Sequence, residues 1–325
     1  MSNKDPDYYI LSQFVAGSAA SIFHTTISHP FEFIKTTRQL HNSILHGSLD
    51  RVYPVRAYFT GCSILNVGVL CKTFVRFYTF DKVCQLLKDP NLPRDRPITG
   101  SRMLAAAILT GTMESLCIVP FENVKTTMIE NAMELAHRKD EKISTANASK
   151  HKSTFHKPST PSQKLNPYET IPQTRMSNTI KEIYSTRGVK GFCQGAMPTM
   201  FRQVGNSAVR FTAFTLLTQA ASARSNEPKN EYLSIGIGII SSVAVVAVTQ
   251  PLDVVKTRMQ SKRRQQLYKN SLNCCYRIFV QEGVASLWKG SIARFFKVGL
   301  SGGISFGVYQ YFESLVNTLR LEYNS

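Results

Sequence analysis

Residues 250–260 read "QPLDVVKTRMQ": a proline inside a long apolar stretch, an acid two positions after it and a lysine five after it. Two other stretches carry the same device, "HPFEFIKTTRQ" (29–39) and "VPFENVKTTMI" (119–129). The three sets are Pro30, Glu32 and Lys35; Pro120, Glu122 and Lys125; and Pro251, Asp253 and Lys256, with the prolines 90 and 131 residues apart. Proline removes one backbone hydrogen bond and clashes with the turn before it, so each helix is predicted to bend there. Acid and base stand three positions apart, on one helix face. Where three bent helices converge, Glu32, Glu122 and Asp253 come within reach of Lys125, Lys256 and Lys35 of their neighbours. Charge inside a bilayer costs about 2.5–3.5 kcal/mol per residue unless it pairs or meets water. Ordinary surface charge at a helix end explains one copy, but not three at matching positions.

A second element follows each device at a distance. It reads "EGVASLWKG" (282–290) in the third copy, "RGVKGFCQG" (187–195) in the second, and only "AYFTG" (57–61) in the first. Each unit is thus a long apolar helix broken by proline, a connector with a short amphipathic helix, and a second long helix. The long helices are predicted at 9–40, 58–88, 98–131, 192–222, 232–262 and 292–320. Small residues, as in "AGSAAS" (16–21) and "LSGGIS" (300–305), allow close helix approach in a bilayer. Self-similarity on this scale decides the fold. The expected fold is an all-α membrane protein: three tandem two-helix repeats forming a six-transmembrane-helix bundle with pseudo-threefold symmetry. The repeats cover 1–96, with an abbreviated connecting segment, 97–227 and 228–325. Residues 133–175 are rich in Ser, Thr, Lys and Pro and read as a disordered polar insert. Its histidines, His137, His151 and His156, are assigned no ligand role.

Among 325 residues, 39 Lys and Arg face 21 Asp and Glu, a formal charge of +18. That excess points to anionic partners. Many of the bases stand singly inside apolar stretches, which argues against nucleic acid. Seven cysteines include no C-x-x-C pair, and no histidine stands at metal-ligand spacing, so no metal or cofactor is expected. The N-terminus lacks the pattern of a secretory signal or an Arg-rich transit peptide, leaving any organelle address internal.

The triple Pro-x-acid-x-x-Lys motif with its following aromatic-x-Gly element resembles the mitochondrial carrier family over nearly the whole chain. The resemblance implies an inner-membrane, multi-pass solute transporter working by alternating access, with the nine motif residues as its matrix-side gate. It further implies a monomer in contact with inner-membrane lipids, cardiolipin among them. A transporter breaks no bond, so no catalytic residue is expected.

Aligning "VRFYTF" (75–80), "VRFTAF" (209–214) and "ISFGVY" (304–309) puts the second helices in register. One layer holds Arg76, Arg210 and Ser305, the layer four residues earlier Lys72, Asn206 and Ser301, and the next Gly68, Arg202 and Lys297. Steps of four keep each column on one face. Five cations result, with Arg294 a turn below Lys297 and no acid at the same positions. Guanidinium forks suit carboxylates. Within the family, Lys72 and Arg76, "RQVGNSAVR" with Arg202, Gln203 and Arg210, and "ARFFKVGLSGG" with Arg294 and Lys297 resemble the tricarboxylate (citrate) carriers. Lys297 departs from that pattern by keeping the charge without the fork. That resemblance implies Lys72, Arg76, Arg202, Gln203, Arg210, Arg294 and Lys297 as the substrate-binding residues, with small tri- and dicarboxylate anions as ligands, exchanged one for another. The alternatives are a nucleotide or coenzyme as the anion, or a carrier-fold assembly partner that does not transport. In favour of the last, the cytosolic-gate stretches "FDKVC" (80–84), "FTLLT" (214–218) and "YQYFE" (309–313) keep only Asp81 of the family's acid-base pattern.

Overall fold

The computed structural model describes residues 6–44, 53–88, 101–149, 172–224 and 231–298. Among them every regular element is helical. The first repeat comprises α1 (Pro6–Ile44), the four-residue α2 (Val55–Tyr58) and α3 (Cys62–Leu87). The second comprises α4 (Ser101–Ser149), α5 (Met176–Arg187), a 3-10 turn (Val189–Cys193) and α6 (Ala196–Arg224). The third opens with α7 (Glu231–Gln260), α8 (Arg264–Leu267) and α9 (Ser271–Arg277). A π-helical stretch (Ile278–Glu282) and a 3-10 turn (Val284–Trp288) lead into α10, described over 291–298. The helices pack in a ring, α1 on α3, α3 on α4, α4 on α6, α6 on α7 and α7 back on α1. Stretches 55–87, 101–140 and 236–260 are long and apolar enough to cross a bilayer.

One expectation is corrected. Residues 133–149 are helical, continuing α4 without interruption to Ser149. The reason is packing followed by propensity. Met133 is fully buried in a core with Phe33, Leu40, Tyr53 and Ile129, and no Gly or Pro occurs between it and Ser149 to stop the helix. Residues 172–175 then return across α4, where the Asn131 amide donates to the Gln173 carbonyl at 2.6 Å. The remainder of the proposed insert, 150–171, lies outside the described residues.

Pro30, Pro120 and Pro251 sit inside their helices. A helical proline strands the carbonyl four residues before it. For Pro251 that carbonyl belongs to Ala247, and the Trp288 indole N–H donates to it at 3.0 Å. Polar residues within a turn of the prolines also hold the connectors, each repeat by different chemistry. His29 Nδ1 bonds the Tyr58 carbonyl at 2.8 Å. Asn123 Nδ2 donates to the carbonyls of Phe192 and Gln194 at 2.8 and 2.9 Å. Gln250 Nε2 donates to the Lys289 carbonyl at 2.9 Å.

The glycines that open the second helices lock this end cyclically. A Cβ on Gly61 would meet Lys125, one on Gly195 would meet Gln260 and Lys256, and one on Gly290 would meet Lys35. All three also adopt left-handed φ, between 75° and 86°, so a side chain is excluded twice over. Three apolar clusters, centred on Phe33 and Met133, on Ile183 and Val124, and on Val254 and Cys274, fill the same end of the bundle.

Candidate functional site

The nine motif residues meet where α1, α4 and α7 converge. Lys125 Nζ lies 2.7 Å from Glu32, Lys256 Nζ 2.7 Å from Glu122, and Lys35 Nζ 2.6 Å from Asp253. Every pair joins two different helices, and together they form a closed ring. All six residues except Glu122 are below 9% exposed, so each charge depends on its partner. Two glutamines brace the ring. Gln39 donates to Asp253 at 3.1 Å and accepts from the Thr257 hydroxyl at 2.6 Å. Gln260 accepts from Thr126 at 3.4 Å. Each stands four residues after a motif lysine, a repeated spacing that was readable in the sequence and unused.

The cations of the second helices lie next to this ring, and most of them already have a carboxylate. Lys297 Nζ is 2.7 Å from Glu32, which is therefore held by two lysines. Arg202 Nε is 3.6 Å from Asp253. Lys72 and Arg76 reach Glu114 of α4 at 3.7 and 3.5 Å. The expected set of unpaired cations is corrected accordingly. The acids come from the first helix of each repeat, which a register drawn on the second helices does not contain. Arg210 alone among the five has no carboxylate within 4.0 Å among the described residues, and it is exposed two turns beyond Arg202 on the same face. Ser301 and Ser305 lie outside the described residues.

Arg294 and Gln203 occupy helix contacts. Arg294, 5% exposed, donates to Gln250 at 3.1 Å, Asn206 at 3.2 Å and Thr249 at 2.7 Å, stitching α10 to α6 and α7. Gln203 packs on Gly111 of α4, where a Cβ would come within 2.9 Å of it. Gly68 likewise admits Phe121 and Ile118 of α4. Nine cations (Lys35, Lys72, Arg76, Lys125, Arg202, Arg210, Lys256, Arg294, Lys297) thus surround four carboxylates (Glu32, Glu114, Glu122, Asp253). The cations exceed the carboxylates by five. Towards the C-terminal end of α3, Asp81 makes no ion pair among the described residues, while 309–313 lies outside them.

A further ion pair escaped sequence reading. Arg258, 1% exposed, makes a bidentate pair with Glu282 at 2.8 and 2.9 Å and donates to the Tyr268 hydroxyl at 3.2 Å. It ties α7 to its own connector. At the matching places of the second repeat stand Thr127 and Arg187, whose guanidinium donates to the threonine hydroxyl at 2.7 Å.

The sequence model of the family described as "Mitochondrial carrier protein" matches residues 6–91, 97–224 and 228–319. Ring, repeats and match agree, and the chain belongs to the mitochondrial carrier family, a family of solute transporters. It is 45% identical to an uncharacterised mitochondrial carrier of Saccharomyces cerevisiae, covering 95% of this chain and 96% of that protein. It is 34% identical to the mitochondrial citrate transporter A of Aspergillus niger, covering 92% and 90%. It is 30% identical to the tricarboxylate transport protein of Saccharomyces cerevisiae, covering 95% of each.

Proposed function

We propose that the protein carries citrate-like tri- and dicarboxylates across the mitochondrial inner membrane, exchanging one anion for another by alternating access. The observation that carries this reading is the excess of five cations over carboxylates beside a closed ring of ion pairs. Similarity to citrate and tricarboxylate transporters over more than nine-tenths of the chain supports it. In this reading Lys72, Arg76, Arg202, Arg210 and Lys297 hold substrate carboxylates, while Arg294 and Gln203 fix the helices that present them. The three Pro-x-acid-x-x-Lys sets form the matrix-side gate.

The shared partners supply the coupling. Lys297 and Arg202 each reach an acid of the ring. A substrate carboxylate that draws them away leaves Glu32 with Lys125 alone and takes the guanidinium from Asp253. The ring loses these two outer ties to the second helices only when the site is filled, so an empty carrier stays shut and a loaded one opens. Binding energy then acts on the conformational change.

The test is uptake of labelled citrate by purified protein in liposomes loaded with citrate, malate, 2-oxoglutarate, ATP or buffer. Uptake requiring internal carboxylate is the expected result. Uptake driven by internal ATP alone overturns the carboxylate assignment. Absence of exchange by folded protein favours the assembly partner that does not transport.

A further inference from the structure

Beyond the ring, the end of the bundle is not threefold. From motif lysine to helix-opening glycine the first connector spans 26 residues (61 − 35) and the third 34 (290 − 256). Its α2 has four residues where α5 of the second has 12. α4, by contrast, runs far past the ring, to Ser149. Short connector and long helix leave a cavity of about 360 Å³ between them, within the range of about 300–1,000 Å³ usual for small-molecule sites.

The lining has two kinds of surface. Tyr53, Ala132, Leu135 and Ala136 form an apolar floor, backed by the Phe33 core to which Tyr53 and Ala132 belong. At the mouth stand Arg56 of the connector and Lys139 of α4, both exposed. Neither has a carboxylate within 4.0 Å among the described residues. Asp140 is the one acid of the described lining, so the mouth sets two positive charges against one negative. An anionic head between Arg56 and Lys139, with an apolar body on the floor, satisfies both surfaces. Guanidinium and ammonium together suit a carboxylate or a phosphate.

The place is aqueous. The lining residues of α4 begin seven positions past Lys125 (132 − 125) and stand 31–39 positions into the helix (132 − 101 and 140 − 101). At about 1.5 Å per residue that is about 47–58 Å from its start, well beyond the ~30 Å of a bilayer core. Both walls also join the ring. His29 Nδ1, beside Pro30, bonds the Tyr58 carbonyl of the connector at 2.8 Å. The connector ends at Gly61, which packs on Lys125. The opposite wall is the continuation of the helix that carries Glu122 and Lys125.

We infer that this cavity binds a small, soluble organic anion with an apolar body, and that the bound anion clamps the first connector to α4 and holds the ring shut. Empty, the cavity leaves Arg56 and Lys139 as like charges on opposite walls; filled, one anion bonds both. The clamp rests on reading the ring as a gate, and the binding does not. Under that reading, opening parts Glu32 of α1 from Lys125 of α4, and the connector moves with α1.

The probe is phenyl phosphate, titrated calorimetrically into the purified full-length protein at about pH 7.5, where a phosphate monoester is mostly dianionic. The expected result is one site per chain, weakened about tenfold by Arg56→Ala and by Lys139→Ala, the lower end of what one charge-assisted hydrogen bond contributes. Ala136→Leu, which fills the floor, is expected to abolish binding, and Arg210→Ala to leave it intact. In liposomes, phenyl phosphate on both faces is expected to slow citrate exchange by the wild type and not by Lys139→Ala. No binding to protein whose thermal melt is intact overturns the inference. Binding that inorganic phosphate matches marks an adventitious ion only and overturns it too. Binding lost in Arg210→Ala but kept in Lys139→Ala overturns it by seating the probe among the cations of the second helices. Displacement of the probe by cardiolipin vesicles assigns the site to a lipid headgroup and overturns the soluble ligand. Binding with no effect on exchange overturns the clamp. If the protein exchanges no carboxylate, the transport reading fails, and calorimetry still decides the site.

Discussion

Arg258 and Thr127 hold the same place in two repeats and meet the same need with opposite charges on the connector. Arg258 grips Glu282 with both arms of its fork. In the second repeat the arginine is on the connector, Arg187, and the helix offers a hydroxyl. Removing one member of a buried, well-made pair costs up to about 3–5 kcal/mol, and Arg258→Ala costs less than the full amount because Glu282 keeps the Ser286 hydroxyl at 2.7 Å and Lys289 at 4.0 Å. Arg258→Ala is therefore expected to lower the thermal unfolding temperature far more than Arg187→Gln, which strands no carboxylate within 4.0 Å among the described residues. A smaller effect for Arg258→Ala would show that the pair is decorative. Cys274 gives a second outcome at this scale. Burial pushes its thiol up to about 12 from an ordinary value of about 9. At about pH 8 its thiolate is roughly a thousand-fold scarcer than that of an ordinary cysteine. A maleimide is expected to label exposed Cys193 and spare Cys274 until the protein unfolds, as peptide mapping would reveal. The sign for stability follows. Between about pH 9 and 12 the unfolded chain ionises this thiol and the folded chain does not, so stability falls as pH rises through that window.

The elements divide sharply into those the sequence announces and those it hides. Six charges at fixed distances from three prolines announce their partners, because a threefold repeat leaves only two cyclic ways to pair them between helices, and the fold takes one. Glu114 is hidden because one repeat alone carries it, and a lone acid in an apolar helix has no periodic signal. The extension of α4 to Ser149 is hidden for another reason. Its residues are polar, and what makes them helical is the anchorage of Met133 in a core built from α1 and the first connector. His29, Asn123 and Gln250 are hidden because they do one job with three chemistries. Gly195 is readable as a helix opener, though not as a contact. Its φ of 75° and the 2.9 Å approach of a Cβ to Gln260 both oppose substitution. Gly283 has a φ of 84° but nothing within 4 Å of its Cβ position. Gly195→Ala is thus expected to cost more than Gly283→Ala, which isolates the steric part from a backbone penalty of about 1 kcal/mol. Equal melting temperatures for the two variants would refute the close packing.

At the scale of the molecule the ring is cyclic but its members are not equivalent. Glu32 is shared by Lys125 and Lys297, Asp253 by Lys35 and Arg202, while Glu122 relies on Lys256. Lys297→Ala is expected to destabilise the closed form by on the order of 1 kcal/mol for this partly exposed pair, and so to lower the melting temperature. Arg210→Ala, with no carboxylate to release, is expected to leave the melting temperature unchanged and to abolish citrate exchange. Unchanged uptake by inserted Arg210→Ala protein would remove that residue from the site. The repeats made the architecture legible in advance, whereas the inequality of the three pairs arises from cavity cations that no single helix displays. The same inequality can be watched by light. The chain has one tryptophan, Trp288, and its indole is tied to the carbonyl that Pro251 strands. The protein thus carries a single tryptophan, excitable apart from its 13 tyrosines, fastened to the proline turn of α7, the third helix of the proposed gate. Any motion that straightens α7 must break or bend that hydrogen bond, and the emission of one residue, with no label attached, then reports each turnover of the gate.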